Sequence, residues 1–221
     1  MITALYLWKI PSRSIPFAFM RMALDRRAIH KIQGVTFSKS LGCGKGEKFT
    51  VSDADIRRWG LLICLDEANL ESLDSANFVK NWRQRSSKEL RLLLDPISSH
   101  GKWSGAQPFD FRNNLAAASE EIVAITRARI SIGRIIEFWR SIPPVAISLH
   151  ESPGVIAAIG IGESPIGLQG TFSIWRSAKD LQNFAFKGQA HIQAIESTTQ
   201  RQWYSEELFA RFRIREKRGS L

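Results

Sequence analysis

Four histidines, two cysteines and a few clustered carboxylates are the side chains of this 221-residue chain best suited to catalysis or metal binding. His191 stands apart from the rest. It lies in Phe184-Ala185-Phe186-Lys187-Gly188-Gln189-Ala190-His191-Ile192-Gln193-Ala194, early in an expected helical piece, with Trp175, Phe184 and Phe186 close by in the expected fold. Two readings stay open for it: a core histidine satisfied by its neighbours, or an imidazole that holds a metal or haem iron in a dry aromatic pocket. His30 ends the first expected helix, where a cation complements the dipole, and His100 and His150 fall in expected loops. Cys43 and Cys64 are too few for a disulfide framework or a metal cluster and suit a reducing cytoplasm. Glu120-Glu121 and Glu206-Glu207 read as solvated charges of helix turns rather than an acid/base dyad.

Other chemistries are excluded by what the motifs lack. Gly42-Cys43-Gly44-Lys45-Gly46 and Gly160-Ile161-Gly162 neither open a helix as G-x-G-x-x-G nor form G-x-x-x-x-G-K-[ST], so both read as hairpin turns. There is no G-x-S-x-G, H-E-x-x-H or C-x-x-C. The net charge of +10 favours acidic proteins, anionic lipid or nucleic acid. An RNA-recognition domain, however, needs stacking aromatics on its third strand. The matching stretch, Gln169-Gly170-Thr171-Phe172-Ser173-Ile174-Trp175, carries Thr171 and Ser173 there, and the earlier copy carries Leu61 and Ile63. Nucleic acid is therefore not an expected partner. No run approaches the ~18 apolar residues of a membrane span, and the N-terminus lacks the order of a secretory signal. The expectation is a cytoplasmic protein whose basic surface allows peripheral association with an anionic inner membrane face.

The elements that must position these residues follow from hydrophobic periodicity. Strands are expected at Ile2 to Ile10, Val35 to Leu41, Trp59 to Leu65 and Leu90 to Leu94, the last ended by Asp95-Pro96. Helices are expected at Ile15 to Ile32 and Asp66 to Trp82. The pattern then recurs. Strands are expected at Ile122 to Arg129, Val155 to Ile161, Gly170 to Trp175 and Leu208 to Arg215. Helices are expected at Ile130 to Arg140, stopped by Pro143-Pro144, then at Ser177 to Phe186 and Gln189 to about Thr199.

The two series superimpose. Gly34-Val35 precedes Gly42 by the same spacing at which Gly154-Val155 precedes Gly162, and Trp59 to Leu65 faces Gln169 to Trp175. The reading is α+β: duplicated ferredoxin-like βαββαβ units, 1–97 and 121–221, joined by a connector, 98–120. Each unit leaves one sheet face bare, so the two faces are expected to pack together as an intramolecular dimeric-α/β-barrel-type fold, one compact barrel. Trp103 and Phe109, in the Trp-Ser-Gly-x-x-Pro-Phe segment of the connector, are expected to anchor it to that barrel.

Three stretches resemble the spheroidene monooxygenase family, the acyclic carotenoid 2-ketolases. They are Ser99-His100-Gly101-Lys102-Trp103-Ser104-Gly105-Ala106-Gln107-Pro108-Phe109; Phe138-Trp139-Arg140-Ser141-Ile142-Pro143-Pro144-Val145 continuing to Gly160-Ile161-Gly162-Glu163-Ser164-Pro165; and Gln169 to Trp175, then His191, then Trp203 to Phe212. The match is good over about the last 125 residues and holds in outline before them.

The resemblance implies a haem-dependent monooxygenase that uses dioxygen and electrons from reduced ferredoxin to place a 2-keto group on spheroidene-type acyclic carotenoids. His191 matches the family's helical histidine and becomes the expected axial metal ligand. Arg140 is the expected donor to bound oxygen, with Trp175, Phe184 and Phe186 lining the cofactor. Two other readings use the same scaffold: a catalytically inert binding or assembly protein, and a cofactor-independent oxygenase.

Overall fold

A computed structural model of the chain describes residues 1–47, 51–111, 120–134, 143–144, 146–164, 169–187 and 204–221. Eight strands are named in chain order: β1 (Ile2–Lys9), β2 (Val35–Gly44), β3 (Ala54–Leu65), β4 (Lys88–Gly101), β5 (Ile122–Ile130), β6 (Val155–Gly162), β7 (Gly170–Trp175) and β8 (Tyr204–Gly219). They close into a barrel in the order β1-β3-β2-β6-β7-β5-β8-β4, with antiparallel pairing throughout. Within each half the order is that of a ferredoxin-like unit, β4-β1-β3-β2 and β8-β5-β7-β6. The fold is α+β, and it follows the expected barrel.

The two sheets do more than face each other. They hydrogen-bond edge to edge, β4 with β8 and β2 with β6. The long junction is self-complementary, as across a two-fold axis: Leu90 pairs with Gly219, and Gly101 pairs with Leu208. Gly101 and Gly219 end their strands alike, at φ of +87° and +77°, where an added Cβ would fall 2.1 and 2.0 Å from the carbonyl oxygens of Glu207 and Glu89. Only glycine fits these positions.

Strand alternation sorts the side chains into two layers. Leu5 and Leu7, Leu62, Leu92 and Leu94, Val123 and Ile125, Phe172 and Phe212 point inward and fill the barrel. An eight-stranded barrel is narrow enough for side chains to pack its interior solid. Trp103 and Phe109 join this interior, 1% and 4% exposed. They anchor the connector, as expected, and at roughly 1.5–3 kcal/mol of burial apiece they fix its path. Facing outward, the first sheet packs Tyr6, Trp8, Trp59 and Leu61 under α1 (Ile15–Ile29) and α3 (Asn77–Arg85), through Ala18, Ile29, Phe78 and Trp82. Among the described residues no helix is long and apolar enough to cross a membrane.

Several local expectations are corrected. Gly42 and Gly44 are not a turn; they lie in β2 and pair with Gly162 and Gly160 of β6. β4 does not stop at Asp95-Pro96 but runs to Gly101, taking in residues 98–101 of the expected connector and His100 of an expected loop. Its register shifts between Pro96 and Ser98, and such an irregularity tolerates a residue without an N–H. The single helix expected over Asp66 to Trp82 is two, α2 (Leu70–Ser75) and α3, parted at Ala76, whose ψ of 139° is not helical. Pro143 and Pro144 are themselves helical. The expected helices beyond 134 and beyond Lys187 fall largely outside the described residues.

Candidate functional site

The outer face of the second sheet is built differently from that of the first. Pairing sets the correspondence: Ile2 faces Leu65 as Ile122 faces Trp175. Counting along the central strands from there, Tyr6 and Trp8 of β1 correspond to Thr126 and Ala128 of β5. On the partner strands, Leu61 and Ile63 of β3 correspond to Thr171 and Ser173 of β7. Bulky rings and aliphatics in one half thus become hydroxyls and methyls in the other. The row through Ala158, Ser173, Ala124 and Arg211 crosses four strands. The next runs through Gly160, Thr171, Thr126 and Phe209. Small side chains form a shallow floor, a cradle, on this sheet, in which Ser173 is buried and Ala124 and Ala158 pack against the cluster of Ile122, Leu149, Trp175 and Leu181. In the first half the gap between α1 and the sheet is a void of about 10 Å³, at the limit of room for one water.

One end of the cradle is walled. Trp175 is fully buried, donates its indole N–H to Ser173 Oγ at 2.9 Å, and lies 5.2 Å from the ring of Phe184. Phe184 comes from α4 (Ala178–Lys187). The Ser177 hydroxyl caps this helix by accepting the Asp180 amide N–H at 3.1 Å and donating to the Asp180 carboxylate at 2.8 Å. Leu181 and Leu149 complete the wall. Of the residues expected at a cofactor site, Trp175 and Phe184 are therefore together. The side chain of Phe186, in α4, lies outside the described residues, as do Arg140 and His191 entirely. In the sequence His191 follows Lys187, the last residue of α4, by four positions.

A second cluster closes one mouth of the barrel, and sequence reasoning missed it. Arg127 points inward from β5 and is 2% exposed; it is ion-paired with Glu163 at 2.7 Å and with Glu206. Glu163 also accepts the Trp103 indole N–H at 2.9 Å and pairs with Lys39. Glu206 accepts the backbone N–H groups of Ser104 at 2.9 Å and Gly105 at 2.6 Å. Burial works against the Glu206 charge. The two amides and the Arg127 guanidinium outweigh it and hold the carboxyl at about 2. Burial likewise opposes ionisation of Glu163, but Lys39, the Trp103 N–H and Arg127 bring its carboxyl below the usual range. Glu206 is thus neither a solvated helix-turn charge nor half of an acid/base dyad. It fastens Trp103 in the barrel. The signal was present in the alternation: Val123, Ile125 and Arg127 share one side of β5.

Burial pushes both thiols, Cys43 and Cys64, up to about 12. They are inert fillers of the barrel interior.

No protein-family model matches the chain. Among curated proteins, the spheroidene monooxygenase of Rhodobacter capsulatus is 35% identical over 211 residues, covering 94% of this chain and 87% of that protein. The spheroidene monooxygenase of Cereibacter sphaeroides is 30% identical over 197 residues, covering 88% of this chain and 60% of that longer protein. Among solved structures, an aldoxime dehydratase matches 96% of this chain and 80% of its own, with a TM-score of 0.58 at 8% identity. A second, crystallised with butyraldoxime, gives 0.57 at 6% identity over 96% and 79% of the two chains. Likeness at that distance speaks for the barrel alone. The sequence relatives speak for descent: the chain belongs to the spheroidene monooxygenase family and is a monooxygenase.

Proposed function

We propose that the chain is a haem-dependent monooxygenase that introduces a 2-keto group into an acyclic carotenoid of the spheroidene type, using dioxygen and reduced ferredoxin. The observation that carries the reading is the cradle of Ala124, Thr126, Thr171, Ser173 and Ala158 on the second sheet, in which Thr126, Thr171 and Ser173 stand where the first sheet carries Tyr6, Leu61 and Ile63. A flat macrocycle needs such an opening between sheet and helices, and the solid barrel interior offers none. Haem, when bound, would supply dioxygen activation.

The roles of Trp175 and Phe184 are read from their placement, those of His191 and Arg140 from the resemblance to the family. Trp175 and Phe184 close the apolar end of the face and keep water from it. His191 is the residue proposed to hold the haem iron, and Arg140 is proposed as a hydrogen-bond donor to the dioxygen substrate. Two hydroxylations of one methylene give a geminal diol, which loses water to leave the ketone. The carotenoid comes from the relatives' names and the apolar wall suits it. A ferredoxin donor and an anionic membrane surface both suit a chain of charge +10. The proposal includes the division into two like units, 1–97 and 121–221, of which the second carries the site.

Absorption spectroscopy of protein purified from haem-supplemented cells tests the reading. A Soret band is expected, and His191→Ala should abolish or shift it while leaving the melting temperature nearly unchanged. A colourless protein that still oxidises a carotenoid would instead be a cofactor-independent oxygenase. A colourless and inactive one would be an inert barrel.

A further inference from the structure

Arg211 is out of place in a well-paired region. Along β8, Arg213 and Arg215 pair with Asp95, Lys217 with Glu121 and Arg218 with Glu216. Arg211 is half-buried and makes no hydrogen bond or ion pair among the described residues. It points outward, because Ala210 and Phe212 on either side fill the barrel. Across the ladder it faces Ala124, at the end of the row of small residues that includes Ser173 and Ala158. Three inter-strand spacings, about 14 Å, separate it from Ala158.

Its counterpart in the first half shows what the fold itself requires there. Arg211 stands eight residues before Gly219, and Leu93 stands eight before Gly101, the two glycines that end β8 and β4 alike. Leu93 faces Ala4 as Arg211 faces Ala124. Leu93 is 4% exposed and packs under the helices. The barrel is therefore satisfied by leucine at this position. A cation put there loses hydration, and among the described residues no partner offsets that loss.

We propose that Arg211 is the anchor for a carboxylate of the molecule that lies on the second sheet, namely a propionate of the porphyrin. A guanidinium takes a carboxylate in two parallel, charge-assisted hydrogen bonds, and the pairing sets the orientation of a flat ligand as well as holding it. The inference rests on the haem reading and adds to it the residue that fixes which edge of the macrocycle faces β8.

The test is a titration of the purified apoprotein with iron protoporphyrin IX, followed at the Soret band, for wild type, Arg211→Leu and Arg211→Lys. The iron porphyrin dimethyl ester, which lacks the carboxylates, serves as control. Wild type should bind the free acid; Arg211→Leu should raise Kd tenfold or more, and Arg211→Lys should recover part of the loss. The dimethyl ester should bind wild type and Arg211→Leu equally. Arg211→Leu should melt no lower than wild type without ligand. Equal affinity of wild type and Arg211→Leu for the free acid would overturn the anchor and leave the haem reading standing. A fall of about 5 °C or more in the apo melting temperature would make Arg211 a structural residue and also overturn it. No Soret band with wild type would remove the haem reading, and this one with it.

Discussion

The two halves of the barrel share one strand order and one set of turn glycines, and they spend their outer faces differently. In the first half, Trp8 stacks on Trp82 at 5.2 Å, Trp82 donates to the buried Asp25 at 2.8 Å, and Trp59 lies 6.2 Å from Trp82. In the second, the corresponding sheet positions are Thr126, Ala128, Thr171 and Ser173. The first half supplies stability. The second carries smaller side chains there, and under the proposed function that face takes the ligand. Duplication makes such a division possible, because only one copy has to hold the fold together.

The comparison can be broken most directly at its heavy end. Trp82→Ala removes the ring between Trp8 and Phe17 and leaves the buried Asp25 with Arg21 but without its indole donor. It should cost about 4 kcal/mol in urea unfolding, and a loss below about 1 kcal/mol would mean that the first half is not the stabilising one. Trp103→Ala should cost about 3 kcal/mol, because it empties the barrel interior and leaves Glu163 without the indole. Unchanged melting with lost activity would make the connector a lid rather than an anchor.

Glu206→Gln should cost about 1–2 kcal/mol at neutral pH, and its larger signature is in acid. A carboxyl held low in the folded state stabilises above the ordinary glutamate range, and that stability is lost as pH falls toward its folded value of about 2. Wild type should therefore lose urea resistance between about pH 4.5 and 2 more steeply than Glu206→Gln. Parallel pH profiles would show that Glu206 does not fasten the connector. The smallest effect on stability is expected from Thr126→Tyr, which writes the first half's Tyr6 onto the second. Apo stability should change by less than about 1 kcal/mol, because Thr126 is only partly buried, while porphyrin binding is abolished by the filled cradle. Retained binding would place the ligand elsewhere.

Much of this was readable along the chain, where the signal is local. Ile2 to Ile10, Trp59 to Leu65 and Gly170 to Trp175 declare themselves as strands by apolar runs, and the spacing of Gly34 and Gly154 ahead of Gly42 and Gly162 exposes the repeat. Trp175 and Phe184 were named together because helix and strand are consecutive. What stayed hidden depends on distant pairing. Gly42 to Gly44 reads as a turn until β6, more than a hundred residues later, is laid beside it. Arg127, Glu163 and Glu206 converge from three strands or strand ends, separated by 36 and 79 residues from the arginine. Arg211 looks like one more surface cation until its neighbours prove to be paired and, among the described residues, it does not.

The barrel's two junctions are unequal. β4 meets β8 from Leu90 to Gly101, whereas β2 meets β6 only at Gly42, Cys43 and Gly44, opposite Gly162, Ile161 and Gly160. A ring with one broad weld and one narrow clasp opens at the clasp. The two edges then released are largely bare backbone, since four of the six residues have no side chain, and bare strand edges template the addition of other chains. Resistance to aggregation in this protein is thus governed less by its charged surface than by how long a three-residue junction of glycines around one cysteine stays shut.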